Sequence, residues 1–234
     1  RELARRNRAD EPSNQLAQLF DYQGIDTCAA TGLCADRCPV GINTGSLIKK
    51  LRSEKYQRFV PIARWSADHF AGVTRAARGS LGLKAIAGKL LGDKALAGLV
   101  GGVRKLSGQR TPAWLPTLPG PSRYQWLQGE GSHDGSSERA VVYLPSCASR
   151  VFGQQEEAPS LPDVVQSLLN KAGCRVIVPQ GIEGLCCGMP YDSKGMSEVA
   201  EAKRSELADA LWQASEQGRW PVLLDTSPCV QRLL

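Results

Sequence analysis

Four cysteines in the C-terminal part of the chain stand where a chemical site could form. They are Cys147, Cys186, Cys187 and Cys229. Each follows a short, apolar, β-branched run that predicts a strand, at 140–144, 174–178 and 221–225. In a parallel sheet the loops that follow the strands converge at one edge, and ligands bind there. We therefore expect the four sulfurs to form a metal or redox site at that edge.

Thiolates bind both zinc and iron–sulfur centres, and the residue types alone do not choose between these. The adjacent pair Cys186-Cys187 is followed by Gly188, which allows close approach of the backbone. Two neighbouring cysteines cannot easily spread around one small tetrahedral ion. The pair therefore favours a larger cluster that bridges several sulfurs, or a redox-active dithiol. Cys174 opens a predicted strand, and we expect it to lie in the core instead.

A second group of cysteines lies nearer the N-terminus, in the run Cys28-Ala-Ala-Thr31-Gly-Leu-Cys34-Ala-Asp-Arg-Cys38-Pro. Bacterial ferredoxins use C-x₂-C-x₂-C-x₃-C-P, in which the fourth cysteine ligates a second cluster. Thr31 stands in the place of the second cysteine, while the Cys-Pro end keeps its register. We interpret Cys28, Cys34 and Cys38 as iron–sulfur ligands. A cubane cluster needs four ligands. If the ligation is crossed, we expect Cys28 and Cys34 to bind one cluster and Cys38 to bind a second, whose other ligands lie before Arg1.

Helical segments are predicted to position this N-terminal group. Leucines at helical spacing in residues 1–23 predict two short helices, and Thr44 is expected to cap a helix that follows the cysteine loop. From 56 to 106 the apolar spacing is again helical, and we expect the many glycines to cut this stretch into short pieces.

A change of composition predicts where the helical part ends. Residues 107–139 are rich in Pro, Gly and Ser, which indicates a linker. Beyond the linker, the three predicted strands alternate with helices at 161–171 and 194–215. This βαβαβ order predicts a parallel sheet covered by helices.

Basic charge is concentrated in one stretch rather than spread along the chain. The net charge is +6, and residues 72–110 carry eight lysines and arginines against one acidic residue. This local surplus is not the pattern of a nucleic-acid-binding protein, so we expect no nucleic-acid partner. Residues 81–106 carry basic side chains among their apolar residues, as basic interfacial helices do. This composition would suit peripheral contact with an anionic membrane. Packing of this segment on its own domain is the favoured alternative, because glycines weaken a surface helix.

The chain opens at Arg1 without a methionine and stops soon after Cys229, so we expect both ends to be cut. No secretory signal is recognisable, and no apolar run reaches the roughly 18 residues that a membrane span needs. These features predict a cytoplasmic protein, with peripheral attachment at the inner face of the cytoplasmic membrane as the alternative. Eight cysteines in such a chain indicate metal ligands or redox thiols rather than a disulfide framework.

The two cysteine groups together resemble the C-terminal part of the bacterial FAD-linked D-lactate dehydrogenases. The resemblance lies in the run 24–45, in Leu-Pro-Ser-Cys147, in Cys186-Cys187-Gly188 and in Asp-Thr-Ser-Pro-Cys229, which occur in this order and cover nearly the whole chain. Those enzymes oxidise D-2-hydroxy acids and are coupled to quinone or cytochrome. In them a flavin domain precedes a helical ferredoxin-like module and a cysteine-rich CCG domain.

The resemblance implies an α + α/β fold. The helical ferredoxin-like module with its basic helical extension would occupy 1–106 and lack its N-terminal motif. The linker would follow at 107–139, and part of the CCG domain would occupy 140–234. The implied partners are the upstream flavin domain of the same polypeptide and a quinone or cytochrome acceptor.

The implied function is that of an electron-transfer segment of an oxidoreductase. The implied cofactors are FAD in the upstream domain, 4Fe-4S clusters on Cys28, Cys34 and Cys38, and a further cluster or zinc on Cys147, Cys186, Cys187 and Cys229. Substrate acid–base chemistry would belong to the flavin part, so no catalytic residue is assigned and this chain alone is not expected to turn over D-lactate. The alternatives are a structural zinc or scaffold module and a thiol–disulfide site at Cys186 and Cys187.

Overall fold

The computed structural model describes residues 16, 19–108, 115, 117, 119–123, 139–154 and 159–234. The predicted helices at the start of the chain and most of the predicted linker at 107–139 lie outside these residues. Among the described helices, none is both long and apolar enough to cross a membrane.

A three-stranded parallel sheet forms in the C-terminal part of the chain, as the sequence predicts. Its strands are β1 (Ala140–Leu144), β2 (Arg175–Ile177) and β3 (Val222–Leu224), in the order β2-β1-β3. Val142 of the central strand pairs with both neighbours and is fully buried, because β-branched residues suit a strand covered on both faces. The observed strands lie within the predicted ones, which confirms both the βαβαβ order and the parallel sheet.

Helices make up most of the described chain. The N-terminal ones are a π-helix (Phe20–Asp26), α1 (Leu33–Arg37), α2 (Thr44–Tyr56), a 3₁₀ turn (Gln57–Phe59), α3 (Val60–Asp68), α4 (Phe70–Leu91) and α5 (Asp93–Leu106). Those that follow β1 in the chain are α6 (Cys147–Val151), α7 (Leu161–Lys171), a 3₁₀ turn (Ile182–Gly184), α8 (Met189–Asp192), α9 (Ser197–Ala214) and α10 (Ser227–Leu233). The coarse α + α/β class follows from these elements.

The prediction that glycines cut the stretch after Tyr56 into short pieces is wrong for α4. This helix continues for 22 residues through Gly72, Gly79, Gly82 and Gly88. A helical glycine costs only about 1 kcal/mol, so tertiary contacts can maintain the helix through it. The break comes at Gly92, whose φ of +76° is in the left-handed region that a side chain would disfavour.

The described residues form two compact units. The first draws on Arg1–Ala67 and Gly188–Lys203, and the second on Asp68–Cys187 and Arg204–Leu234. Packing explains why 188–203 groups with the N-terminal part. Tyr191, Val199 and Ala200 form one buried cluster with Ala63 and Ala67.

Candidate metal centre and its cysteines

The second unit brings four of the predicted site residues around one small cavity. Cys147, Cys186, Cys187 and Cys229 line it together with Arg150, Leu207 and the end of β1, and its volume is about 10 Å³. Such a volume is the size of one water molecule. The four sulfurs are therefore in close proximity, as expected at the edge where the parallel strands end.

Each cysteine reaches the cavity from an element that follows a strand. Cys147 is the first residue of α6, directly after the cap residue Ser146, whose hydroxyl accepts from the Ser149 amide. Cys186 and Cys187 follow the 3₁₀ turn after β2, and Cys229 lies in the first turns of α10 after β3. Because parallel strands end at one edge, three connections that are distant in sequence converge there.

Three thiols of this site are buried, Cys147 is half-buried, and the four contact one another in pairs. Cys186 is 3% and Cys187 4% exposed, and Cys229 is also buried. Hydrogen bonds join Cys147 to Cys186 and Cys187 to Cys229. All eight cysteines of the chain carry thiols rather than disulfides.

The two pairs differ in their electrostatics. The pKa of Cys147 falls to about 7 because Cys186 donates a hydrogen bond to its sulfur and the positive charge of Arg150 lies nearby. The pKa of Cys229 is raised well above its usual range by the hydrogen bond with Cys187 and by burial. Cys147 is therefore the thiol that most readily becomes a thiolate ligand or nucleophile.

Arg150 brings a buried positive charge to the cavity. Its residue is 5% exposed, and its terminal nitrogens donate to the carbonyl oxygens of Ile182 and Leu185. The Nε atom is buried and has no hydrogen-bond partner among the described residues. Burial lowers the pKa of the guanidinium, and the thiols of Cys147, Cys186 and Cys229 oppose that effect. A buried cation of this kind is stabilised by negative charge beside it, which thiolates would supply.

Asp225, the residue after β3, contributes a carboxylate at the same edge of the sheet. Asp225 Oδ1 accepts a hydrogen bond of 2.8 Å from the Ser146 amide, and Oδ2 is buried without a partner in the described part of the chain. The contact ties the start of α6 to the end of β3. It therefore holds the connection of Cys147 against that of Cys229.

The donor set suits a thiolate-held centre in residue type, burial and charge. Four thiols converge, and the orphaned Nε of Arg150 is a donor without an acceptor. The sulfurs nevertheless contact in pairs rather than surrounding a point. In keeping with this, no group of three or more His, Cys, Asp or Glu residues within the described ranges is spaced to hold a single metal ion. Thiolates in this number are ligands that zinc and iron–sulfur centres both use.

In the first unit, hydrogen-bond donors surround the sulfurs of the N-terminal cysteine loop. Thr44 Oγ1 donates to Cys34 Sγ over 3.0 Å, and this bond and the Gly45 amide lower the pKa of Cys34. The pKa of Cys38 is lowered by backbone amides, chiefly those of Ile42 and Val40. Donors aimed at sulfur favour the thiolate, which is the form that binds metal.

The cap of α2 corrects one prediction about this loop. Asn43, not Thr44, is the N-cap, and its side chain accepts from the Ser46 amide at 3.1 Å. Thr44 is the first helical residue instead, so its hydroxyl is available to donate to Cys34.

Arg52 holds the beginning of the N-terminal cysteine loop through hydrogen bonds. Its guanidinium donates to the carbonyl oxygens of Ile25, Asp26 and Cys28 and to that of Ser193, with the Cys28 contact at 2.6 Å. The residue is 4% exposed. One buried side chain therefore fixes the backbone on which Cys28 stands.

The three N-terminal cysteines differ in their surroundings. Cys34 is exposed, while Cys28 and Cys38 are half-buried. Negative charge on Cys34 raises the pKa of Cys38, which indicates that these two are neighbours. Cys28 accepts a bond of 3.4 Å from the Ala30 amide. Cys174, expected in the core, is half-buried just before β2 and does not line the cavity.

Sequence reasoning missed the charged residues that support both sites. Arg150 stands three positions after Cys147, so helical spacing could have placed it beside that thiol. Asp225 ends a predicted strand at the same edge. Arg52 gave no comparable signal, because the carbonyl of Ser193 that it contacts lies 141 positions away in sequence.

Comparison of the chain with protein-family models, with curated proteins and with solved structures finds no match.

Proposed function

We propose that this chain is an electron-transfer segment of an FAD-linked oxidoreductase and that its two cysteine sites hold iron–sulfur centres. The observation that carries the proposal is the convergence of four thiols, three of them buried, beside the buried cation Arg150. The resemblance of both cysteine motifs to FAD-linked D-lactate dehydrogenases supports D-lactate or a related D-2-hydroxy acid as the electron donor. It also supports quinone or cytochrome as the acceptor.

The residues of the second unit would have distinct roles at such a centre. Cys147, Cys186, Cys187 and Cys229 would be its ligands. Leu144, Leu185 and Leu207 line the same cavity and would exclude water. The buried charge of Arg150 would offset the negative charge of the thiolates. A bound iron–sulfur centre would supply one-electron transfer, and burial with hydrogen bonding to sulfur would tune its potential.

The residues of the first unit would hold a second centre nearer the surface. Cys28, Cys34 and Cys38 would supply three of its ligands. The amides of Val40 and Ile42 and the hydroxyl of Thr44 would keep the sulfurs anionic by donating to them. In this proposal the first unit belongs to a helical ferredoxin-like module and the sheet belongs to a CCG domain.

In this proposal the chain itself carries out no chemistry on the substrate. FAD and the acid–base residues that act on the hydroxy acid would lie in the upstream domain of the same polypeptide. We expect this chain alone to give no measurable oxidation of D-lactate with an acceptor dye. A clear rate would contradict the proposal.

Electron uptake tests the proposal directly. The chain is treated anaerobically with ferrous iron and sulfide, desalted, and mixed with photoreduced flavin while its visible absorbance is followed. We expect a thiolate-to-iron absorption band that bleaches on reduction and returns with an acceptor dye. Cys187→Ser is expected to reduce the band, and the matched control Cys174→Ser to retain it. The absence of any band that flavin can bleach would overturn the proposal.

The pairwise contacts of the thiols favour a thiol–disulfide site as a second candidate. Cys147, with its pKa near 7, accepts a hydrogen bond from Cys186. Oxidation of this pair would form one S–S bond and release two protons and two electrons to a disulfide or quinone acceptor. Mass spectrometry after treatment with glutathione disulfide would show a Cys147–Cys186 bond if this candidate is right. In this candidate, Cys186→Ser would abolish the Cys147–Cys186 bond, and Cys187→Ser would retain it.

A further inference from the structure

An apolar surface is exposed on the two consecutive helices α4 and α5, within the second unit. We call it the α4–α5 apolar surface and define it by Leu83, Ile86, Leu90, Leu99, Val103 and Leu106. Leu90 is 79% and Leu106 91% exposed. Leu81 and Leu96 of the same segment are buried, whereas these six side chains are exposed.

The exposed residues form ordered stripes rather than scattered positions. Leu83, Ile86 and Leu90 recur at the spacing of one helix face, and the buried Leu81 lies on the opposite side of α4. Leu99, Val103 and Leu106 recur likewise along α5. Single exposed leucines are ordinary, whereas stripes of them on adjacent helices mark a contact surface.

The charge around the surface indicates what it contacts. Residues 81–106 carry five lysines and arginines against one acidic residue. On α5, Lys94 and Lys105 lie on the side of the helix opposite to Val103, at about 100° per residue. An apolar stripe backed by basic side chains is the arrangement of helices that lie in the interface of an anionic bilayer.

We propose that the α4–α5 apolar surface binds the interfacial region of an anionic lipid bilayer, with the two helices lying along it. The leucines enter the boundary between headgroups and acyl chains, and the lysines meet the anionic headgroups. α4 also contacts α6 and the turn Ile182–Gly184, which carry or flank the thiols of the cavity. A bilayer bound here would lie within one length of α4, roughly 33 Å for its 22 residues, of that site.

Vesicle flotation tests the proposal with the whole chain, whether or not any cluster is present. We expect binding to vesicles of phosphatidylcholine mixed with phosphatidylglycerol, weak binding to phosphatidylcholine alone, and loss of binding as salt rises. The double variant Leu99→Glu with Leu106→Glu should bind on the order of tenfold or more weakly. The matched control Leu168→Glu changes a leucine that is 65% exposed on α7, and it should bind like the wild type.

A measurement on the unaltered chain removes any dependence on the folding of variants. Hydrogen exchange should slow in residues 94–106 when the anionic vesicles are added, while residues 161–171 remain unchanged. The proposal would be overturned if the chain bound neutral and anionic vesicles equally, or if Leu168→Glu lost as much binding as the double variant. It would likewise be overturned if hydrogen exchange in α5 did not slow. It would also be overturned if the surface instead joined two copies of the chain, seen as a lipid-independent dimer that Leu99→Glu dissociates.

Discussion

Arg150 follows Cys147 by one helical turn on α6, and its guanidinium links that thiol to the loop that carries the adjacent cysteine pair. The side chain donates to the carbonyl oxygens of Ile182 and Leu185, directly before Cys186. One buried cation thus adds both positive charge and backbone anchoring to the cavity. Replacing Arg150 should therefore lower the stability of the chain as well as change the chemistry of the thiols.

Replacing Arg150 should destabilise the chain strongly. Arg150→Gln removes the charge and leaves two buried carbonyls without their donors, so the free energy of unfolding should fall by about 3 kcal/mol. Arg150→Lys should lose less, because it keeps the charge but not the fork of donors. Urea unfolding measures both. The matched change is Arg219→Gln, an exposed arginine paired with Glu216, which should cost below about 0.5 kcal/mol; equal losses would contradict the anchoring role.

Replacing Arg52 should loosen the N-terminal cysteine loop. Arg52→Met removes the donors to Ile25, Cys28 and Ser193, so we expect about 3 kcal/mol less stability and faster alkylation of Cys28 by iodoacetamide. Arg64→Met is the control, because that exposed side chain pairs with the exposed carboxylate of Glu198. An unchanged alkylation rate in Arg52→Met would show that the arginine does not hold the loop.

The glycine after the cysteine pair should tolerate no side chain. Gly188 has φ of +82°, and an added Cβ would lie 2.2 Å from the Ala200 carbonyl oxygen. Gly188→Ala should therefore lower the free energy of unfolding by about 3 kcal/mol or more. Gly181 has a similar φ of +66° but open space, so Gly181→Ala isolates the backbone cost of about 1 kcal/mol. Thermal unfolding compares them, and equal losses would mean that the close approach is unimportant.

The ion pairs of Lys55 should give a defined pH dependence. Lys55 Nζ lies 2.8 Å from Asp21 Oδ2 and 3.0 Å from Asp26 Oδ2. These contacts raise the pKa of Lys55 above 10.5, with Asp21 the larger cause, and the bond to Lys55 lowers the pKa of Asp26 below 3.8. The stabilisation by Asp26 is complete above 3.8 and is lost as pH falls through its lowered pKa. That by Lys55 is complete below 10.5 and is lost as pH rises through its raised pKa.

Lys55→Met tests this sign. Because the groups are partly exposed, the wild type should be more stable than the variant by only about 0.5 kcal/mol between pH 5 and pH 9. The difference should narrow at both extremes. Lys50→Met, which changes an exposed lysine of the same helix, should show no such profile. A difference that persists at pH 2 would mean that packing rather than charge separates the two proteins.

The sequence predicted the elements whose signal is local. Val141 and Val142 in the run 140–144 indicated β1 directly, and the rule for parallel strands then brought Cys147 and Cys229 to one edge. The extent of α4 could not be predicted, because contacts with residues distant in sequence override the low helix propensity of its glycines. Arg52 and Arg150 could not be recognised as buried, because their acceptors are carbonyl groups, which every residue has.

The identity of the inorganic centre is the most direct test of the whole account. Iron, zinc and acid-labile sulfide should be measured in the chain purified anaerobically, in Cys147→Ser, Cys186→Ser, Cys187→Ser and Cys229→Ser, and in the control Cys174→Ser. We expect iron and sulfide in the wild type and in the Cys174 control, and a shared loss in the other four. The account would be contradicted if the chain contained zinc without sulfide, or if its iron content were unaffected by those four substitutions.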